Sequence, residues 1–308
     1  MDLAALPVLS LADDAATFAP QIDASLRTFG FALVQDHGID PALVAEAWAL
    51  SAVFFALPEA EKRGYVLAGS GGARGYTPFG IEIAKGAAVH DLKDFWHVGR
   101  EEPGAETMMA NIWPDRPAGF RETFAALYDA LDRAGAALLA RIAPGLGLAE
   151  NWFDPVIAGG NSILRLLHYP PLAADAPAGA IRAGAHEDIN LITLLLGAEE
   201  AGLELLGKDG QWLPVDPPAG ALVVNIGDML QRLTNHVLPS TTHRVRNPDG
   251  PRAGFSRYAL PFFLHPRSDF VIETLPQCIS PANPDRYPTP ITADAYLQQR
   301  LREICLKS

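Results

Sequence analysis

His186, Glu187 and Asp188 place two metal-type ligands one residue apart, just before an apolar run over 189–196. A further histidine, His243, follows 55 positions after Asp188 within Thr241-Thr242-His243-Arg244-Val245. Two imidazoles and one carboxylate make up the facial set that holds Fe(II) and leaves coordination positions open for oxygen and a second ligand. A mononuclear iron oxygenase is therefore the leading chemistry. If 185–188 is extended, His186 and Asp188 project to one side and Glu187 to the other, because side chains alternate along a strand. The long separation to His243 suits a neighbouring strand of an antiparallel sheet better than the next turn of a helix. A helical zinc protease needs His-Glu-X-X-His, and Asn190 stands where the second histidine would be.

A lone His-X-Asp also arises by chance in surface histidines, so the surrounding residues decide its meaning. Arg257 lies in Ser256-Arg257-Tyr258-Ala259-Leu260-Pro261-Phe262-Phe263-Leu264, an otherwise apolar and aromatic run. A charge there is costly unless it meets an anion, and a guanidinium is the side chain best shaped for a bidentate grip on a carboxylate. The alternative is an ion pair with an internal Asp or Glu. Arg244, next to His243, points to the opposite face of its strand and reads as a structural ion pair.

The elements that position these residues are legible in outline. Residues 29–35 read as a short strand closed by Asp36-His37-Gly38, and 41–55 as an Ala- and Leu-rich helix with Pro41 in its first turn. The Gly-rich loop 69–75 lacks the Gly-Lys-Ser/Thr ending of a phosphate loop. Phe120, Phe124, Leu127, Leu131, Ala134, Leu138 and Ile142 recur at helical spacing, which predicts a long amphipathic helix ended by Pro144 and Gly145. That stripe reads as core packing. After residue 155 short β-type runs dominate, at 162–169, 191–196, 221–226, 240–245 and 256–264. Their spacing indicates a sandwich or jelly roll rather than alternating βαβ units. Lys208-Asp209-Gly210 and Asn247-Pro248-Asp249-Gly250 read as hairpin turns, 170–177 as a flexible loop, and 296–304 as a terminal helix. The expected division is an α/β region over 1–115, a long helical segment over 116–154, a jelly-roll core over 155–275 and a helical extension over 276–308.

With 308 residues, 49% hydrophobic and 19% charged, the chain can bury a sizeable core. Its net charge of −12, with no offsetting Lys/Arg cluster, argues against nucleic acid or an anionic membrane as partner and for a small molecule. Two cysteines, Cys278 and Cys305, give no disulfide framework. The N-terminus lacks a basic stretch before its apolar residues, and no apolar run approaches bilayer-spanning length, so the expected location is cytoplasmic.

In chain order, the sequence carries Phe29-Gly30-Phe31 with His37-Gly38-Ile39, Arg74-Gly75-Tyr76 and Asp91-Leu92-Lys93-Asp94-Phe95. These are followed by Leu164-Arg165-Leu166-Leu167-His168-Tyr169-Pro170-Pro171 and His186-Glu187-Asp188. Asn225-Ile226-Gly227-Asp228, Thr234-Asn235, Ser240 to Val245, and Arg257 before Pro261-Phe262-Phe263 complete the series. In this order the motifs resemble the isopenicillin N synthase-like superfamily of Fe(II)/2-oxoglutarate-dependent dioxygenases over residues 5–275.

The resemblance implies a mainly β chain with flanking helices, built on a distorted double-stranded β-helix (jelly roll). Iron would be held near its open end by His186, Asp188 and His243. Arg257 would bridge the distal carboxylate of 2-oxoglutarate, with Tyr169 adding a hydrogen bond. Two iron positions would take the cosubstrate and the last one oxygen. Decarboxylation of 2-oxoglutarate to succinate would then drive hydroxylation, desaturation or cyclisation of a small molecule. Thr242 or Asn225 would support the ligands, and His90, Trp96 and His97 would lie near the substrate mouth. His236 reads as a loop residue that could reach the pocket. One departure is Ala259, where the family usually has Arg-X-Ser. Loss of one neutral hydrogen bond should weaken cosubstrate binding by roughly tenfold or less. The alternatives are an iron oxidase independent of 2-oxoglutarate, with Arg257 gripping the substrate itself, an ethylene-forming type enzyme, and a non-catalytic binding protein on the same fold.

Overall fold

The computed structural model describes residues 5–70, 72–81, 90–101, 109–172, 181–197, 202–248 and 250–303. Most of the loop expected over 170–177, Gly71 of the Gly-rich loop, Asp249, Ile304 and Cys305 lie outside the described residues.

Strand β1 (Val8–Ser10), helix α1 (Ala15–Phe29), strand β2 (Phe31–Gln35), α2 (Pro41–Phe55) and α3 (Glu59–Arg63) open the chain. Then come β3 (Gly75–Thr77), β4 (Asp94–Gly99), the long α4 (Phe120–Ile142) and α5 (Asp154–Ile157). The central β region holds β5 (Ile163–Tyr169), β6 (Ala183–His186), β7 (Ile192–Leu196), β8 (Leu203–Leu206), β9 (Trp212–Pro214) and β10 (Leu222–Ile226). It continues through α6 (Asp228–Leu233), β11 (His243–Val245) and β12 (Arg257–Leu264) to β13 (Val271–Ile272), β14 (Ile291–Thr292) and α7 (Ala293–Glu303).

Eight strands form one sheet in the order β1-β2-β10-β7-β12-β5-β4-β3, and β6-β11-β8-β9 form a second. Alternation along the eight-stranded sheet sends residues to two cores. Ala32, Val34, Leu164, Leu166, Leu194, Leu196, Val224, Leu260 and Phe262 pack on the helix side, where α1, α2 and α4 cover the sheet. Phe31, Leu33, Leu167, Tyr169, Val223 and Ala259 point the other way and meet Leu203, Leu205 and Val245 of the small sheet. This is why the central strands read as continuous apolar runs: both faces are buried. The double layer is the expected jelly roll. The predicted stripe of α4 lies in the helix-side core, each of its seven residues being buried.

Several expectations need correction. Phe29 ends α1 rather than starting a strand; Gly30, at φ 68°, caps the helix in the left-handed region and donates its N–H to the Leu26 carbonyl. β11 begins only at His243, so 240–242 are not strand. Lys208-Asp209-Gly210 does close a hairpin, between β8 and β9, with Gly210 at φ 80°. The turn at 247–250 does not: β11 pairs with β6 and β8, whereas β12 pairs with β5 and β7, so the chain crosses from one sheet to the other there. Turn residues signal a change of direction, not which strand will be the partner.

Asp94 ties the N-terminal region to this core. It accepts from Lys62 Nζ at 3.1 Å and Tyr76 Oη at 2.8 Å, and its other oxygen meets His168 Nδ1 of β5 at 2.7 Å. Among the described residues no helix is long and apolar enough to cross a membrane.

Gly30 also leaves room for the approach to β11. A Cβ there would sit 2.4 Å from both the Pro239 carbonyl and Thr241 Oγ1. Gly30→Ala should destabilise the protein by at least about 1–2 kcal/mol, the cost of a left-handed side-chain residue alone, in urea unfolding. A stability equal to wild type would show that the 239–241 segment is not fixed against the helix end.

Candidate active site

His186 closes β6 and pairs directly with His243, the first residue of β11. Strand pairing thus delivers both imidazoles, with ring centroids 4.4 Å apart. Asp188 lies two residues beyond the end of β6, so the pair expected from one continuous strand is a strand end plus the irregular segment after it. The convergence is achieved all the same: donor atoms of His186, Asp188 and His243 all lie within 4.8 Å of one another. Asp188 Oδ1 is 3.9 Å from His186 Nε2, and Oδ2 is 3.9 Å from His243 Nε2.

Both imidazoles are held in the same way. Nδ1 of His186 contacts the Gly184 carbonyl at 2.7 Å, and Nδ1 of His243 contacts the Thr241 carbonyl at 3.1 Å. A carbonyl only accepts, so each ring carries its proton on Nδ1 and turns the Nε2 lone pair to the common centre. The His186 ring lies deep in the molecule although 36% of its side chain is open to a cavity. Burial, with His243 adding to it, pushes its pKa down to about 4, so it is neutral at ordinary pH.

Asp188 is fixed by the other sheet. Thr193 Oγ1 donates to Asp188 Oδ2 at 2.5 Å and Asn225 Nδ2 donates to the same oxygen at 2.8 Å. Thr193 and Asn225 are opposite each other in the β7–β10 register. Thr193 Oγ1 in turn accepts from Asn190 Nδ2 at 3.1 Å. Burial works against the Asp188 charge, but the two imidazoles and these donors hold its pKa below the ordinary carboxylate value. The Asn225-Ile226-Gly227-Asp228 motif has a use at each polar position. Asp228 donates its backbone N–H to the Asp188 carbonyl at 2.7 Å, and a Cβ on Gly227 would stand 2.2 Å from the Asn190 carbonyl.

Of the two candidate supports, Asn225 reaches a ligand, while Thr242 donates to Glu187 at 2.9 Å. Thr193, Asn190 and Asp91 were not legible as site residues. Asp91 accepts from the Gly184 N–H at 2.9 Å and pairs with Lys93 at 2.9 Å, fixing the strand that carries His186. The available signal was a single hydroxyl, Thr193, inside an aliphatic strand buried on both sides.

Arg257 and Tyr169 are register partners on β12 and β5, and both are buried. The Arg257 guanidinium lies 5.2 Å from the Tyr169 ring centroid. Tyr169 and Ala259 belong to the inter-sheet core, so Arg257, two residues before Ala259, faces the same space. His243 opens into it as well, edge-on to Phe31 at 5.5 Å. A second buried arginine, Arg182, stands 5.9 Å from the other partner of this group, the Tyr169 ring.

A cavity of about 1100 Å³ opens on the triad, with His186, Glu187 and Asp188 in its wall. His97 lines it. Trp96 does not: it is fully buried on the helix side. His90 is exposed outside the lining, and His236 stacks on Tyr287 with Nε2 2.6 Å from its hydroxyl. Arg244 pairs with Glu204 at 2.8 Å and covers the Trp212 ring, away from the triad.

Two imidazoles and a carboxylate, with Nε2 atoms preset toward one point, match the donor set for Fe(II). Residues 1–116 match the family model for the non-haem dioxygenase N-terminal region, and 160–266 match that of the 2OG-Fe(II) oxygenase superfamily. The chain is 34% identical over 293 residues to a 2-oxoglutarate-Fe(II) type oxidoreductase of Emericella nidulans, covering 91% of this chain and 82% of that one. It superposes on a 2OG-Fe(II) oxygenase family protein of Caulobacter crescentus with a TM-score of 0.90 and 52% identity, covering 98% and 100% of the two chains. A Neurospora crassa protein crystallised with alpha-KG and thymine gives a TM-score of 0.85 at 30% identity, covering 96% of each chain.

His186→Ala and Asp188→Ala should each abolish stoichiometric Fe(II) retention in anaerobic titration while circular dichroism stays close to wild type. Wild-type iron affinity in both variants would overturn the ligand set.

Proposed function

The chain belongs to the 2OG-Fe(II) oxygenase superfamily, enzymes that use Fe(II), 2-oxoglutarate and molecular oxygen, and on that premise we propose how its own residues divide the work. His186, Asp188 and His243 hold the iron. Arg257 grips the distal carboxylate of 2-oxoglutarate, with Tyr169 beside it. The observation that carries this reading is that donor atoms of His186, Asp188 and His243 converge within 4.8 Å of one another beside the cavity that His186 and Asp188 line, while Arg257 is the register partner of Tyr169 of the inter-sheet core. Bound iron supplies oxygen activation coupled to decarboxylation of the 2-oxoglutarate.

The protein supplies position and charge. Preset Nδ1 protons keep both imidazoles available as ligands, Thr193 and Asn225 keep the carboxylate in one rotamer, and apolar neighbours such as Phe31 and Leu205 keep the cosubstrate end dry. The substrate is a small molecule, admitted through the cavity; thymine in the Neurospora complex supports this class. We further read the enzyme as cytoplasmic and as isopenicillin N synthase-like in its motifs.

Ala259, buried on the inter-sheet face two residues from Arg257, favours a second reading, in which iron and oxygen act without 2-oxoglutarate. Anaerobic addition of 2-oxoglutarate to the Fe(II)-loaded protein separates the two. The expected result is the visible charge-transfer band of the chelate, with half-saturation raised about tenfold to a hundredfold in Arg257→Ala, as loss of a charged hydrogen-bond partner implies. Iron binding with no band at any concentration would establish the second reading.

A further inference from the structure

The cavity wall carries a carboxylate that the iron site does not use. Glu187 lies between the ligands His186 and Asp188 and, half-buried, lines the cavity with them. Thr242, the residue before His243, also lines it and donates its hydroxyl to Glu187 Oε1 at 2.9 Å. That bond joins the two segments that carry the iron ligands and fixes the carboxylate against the wall. Among the described residues no other group donates to Glu187 and no cation pairs with it.

Cations on the same wall have carboxylates of their own. Arg63 pairs with Glu59 at 2.8 Å, Lys93 with Asp91 at 2.9 Å and Arg300 with Asp228 at 2.9 Å. Asp91 is thereby neutralised, Asp188 belongs to the metal set, and Asp294 lies exposed, accepting from Gln298 at 3.1 Å. Glu187 is left as a fixed negative charge beside the iron ligands. A carboxylate whose partner is one neutral hydroxyl keeps acceptor capacity on both oxygens. Ile189, Phe263, Leu297 and Leu301 give the cavity apolar walls, and a charge beside such walls attracts a cation more strongly than one on an open surface. The charge of a bound metal enters the same balance. Asp188 and a dianionic 2-oxoglutarate together more than offset Fe(II), so the loaded centre does not repel a cation.

We propose that the primary substrate carries a protonated amine on an apolar body, and that Glu187 is the specificity-determining residue that holds the amine. The inference rests on the oxygenase reading above, because the anchored amine lies in the cavity that His186 and Asp188 line. A charge-assisted contact from ammonium to carboxylate fixes one end of the substrate, and the apolar walls receive the rest. Thr242 serves the same contact by orienting the carboxylate before any ligand arrives.

The test uses matched probes: hexylamine, 4-phenylbutylamine and tryptamine against 1-hexanol, 4-phenylbutanol and tryptophol. Binding to the full chain saturated with 2-oxoglutarate is followed at neutral pH by saturation-transfer NMR, with Zn(II) in place of iron to keep the spectra diamagnetic. Amines should bind about tenfold tighter than alcohols, the low end for a charge-assisted contact because the site is half-open. Glu187→Gln should erase this preference, Glu187→Asp should keep part of it, and Asp294→Asn should leave it intact. Equal binding of amine and alcohol, no binding of any amine at millimolar concentration, a preference that survives in Glu187→Gln, or one that vanishes in Asp294→Asn would each overturn the proposal. The wild-type comparison decides the matter even if a variant fails to fold. The charge-transfer band of the Fe(II)-loaded protein is recorded separately. An amine preference without a band would sink the cosubstrate assignment alone, and a band without the preference would sink the role of Glu187 alone.

Discussion

The carboxylate of Asp188 is held by one sheet while the imidazoles that face it are delivered by the other, and the architecture is organised around keeping those two sheets in fixed relation. Thr193 and Asn225, cross-strand partners on β7 and β10, both donate to the same Asp188 oxygen. His186 and His243 are cross-strand partners on β6 and β11. A displacement of one sheet against the other by an ångström would separate the ligands. The inter-sheet core of Phe31, Leu33, Leu167, Leu203, Leu205 and Val245 resists that displacement, since closely packed interiors deform little. The helices contribute indirectly: α1, α2 and α4 back the large sheet and leave its other face free to build the site.

The backbone works as hard as the side chains. Each histidine is oriented by a carbonyl two residues before it. Gly184, whose carbonyl orients His186, is itself held by Asp91, and Asp91 by Lys93. The N-terminal region therefore reaches His186 through a chain of polar contacts, while Asp94, the next acidic residue, fastens the same segment to β5 through His168. Such a chain explains how residues far from the triad in sequence can govern the orientation of a ligand.

Electrostatics divide the interior into two compartments. Within the sheets, Arg257 lies against Tyr169 in an apolar enclosure, where a guanidinium interacts strongly with an anion. In the cavity wall, Arg165 lies over the Phe95 ring and donates to His97. The His186, Asp188 and His243 cluster lies beside the cavity.

The sequence by itself determined the chemistry: His186, Asp188 and His243 have the types and spacing of a facial iron set, and the long helix and the central strands could be read from periodicity. It also pointed to a partner for Arg257, because a lone charge in an apolar strand requires one. What it could not convey was which strands meet. Alternation reports that a strand has two faces but not what covers each, so the turn at 247–250 looked like a hairpin although it passes between sheets. The same limit hid Thr193 and Asp91 as supports and made Trp96 resemble a cavity residue beside His97, when the two point to opposite faces of β4. Ligand identity is local and is written in residue type. Ligand support depends on contacts between segments far apart in the chain, and those exist only once the tertiary structure has brought the sheets together.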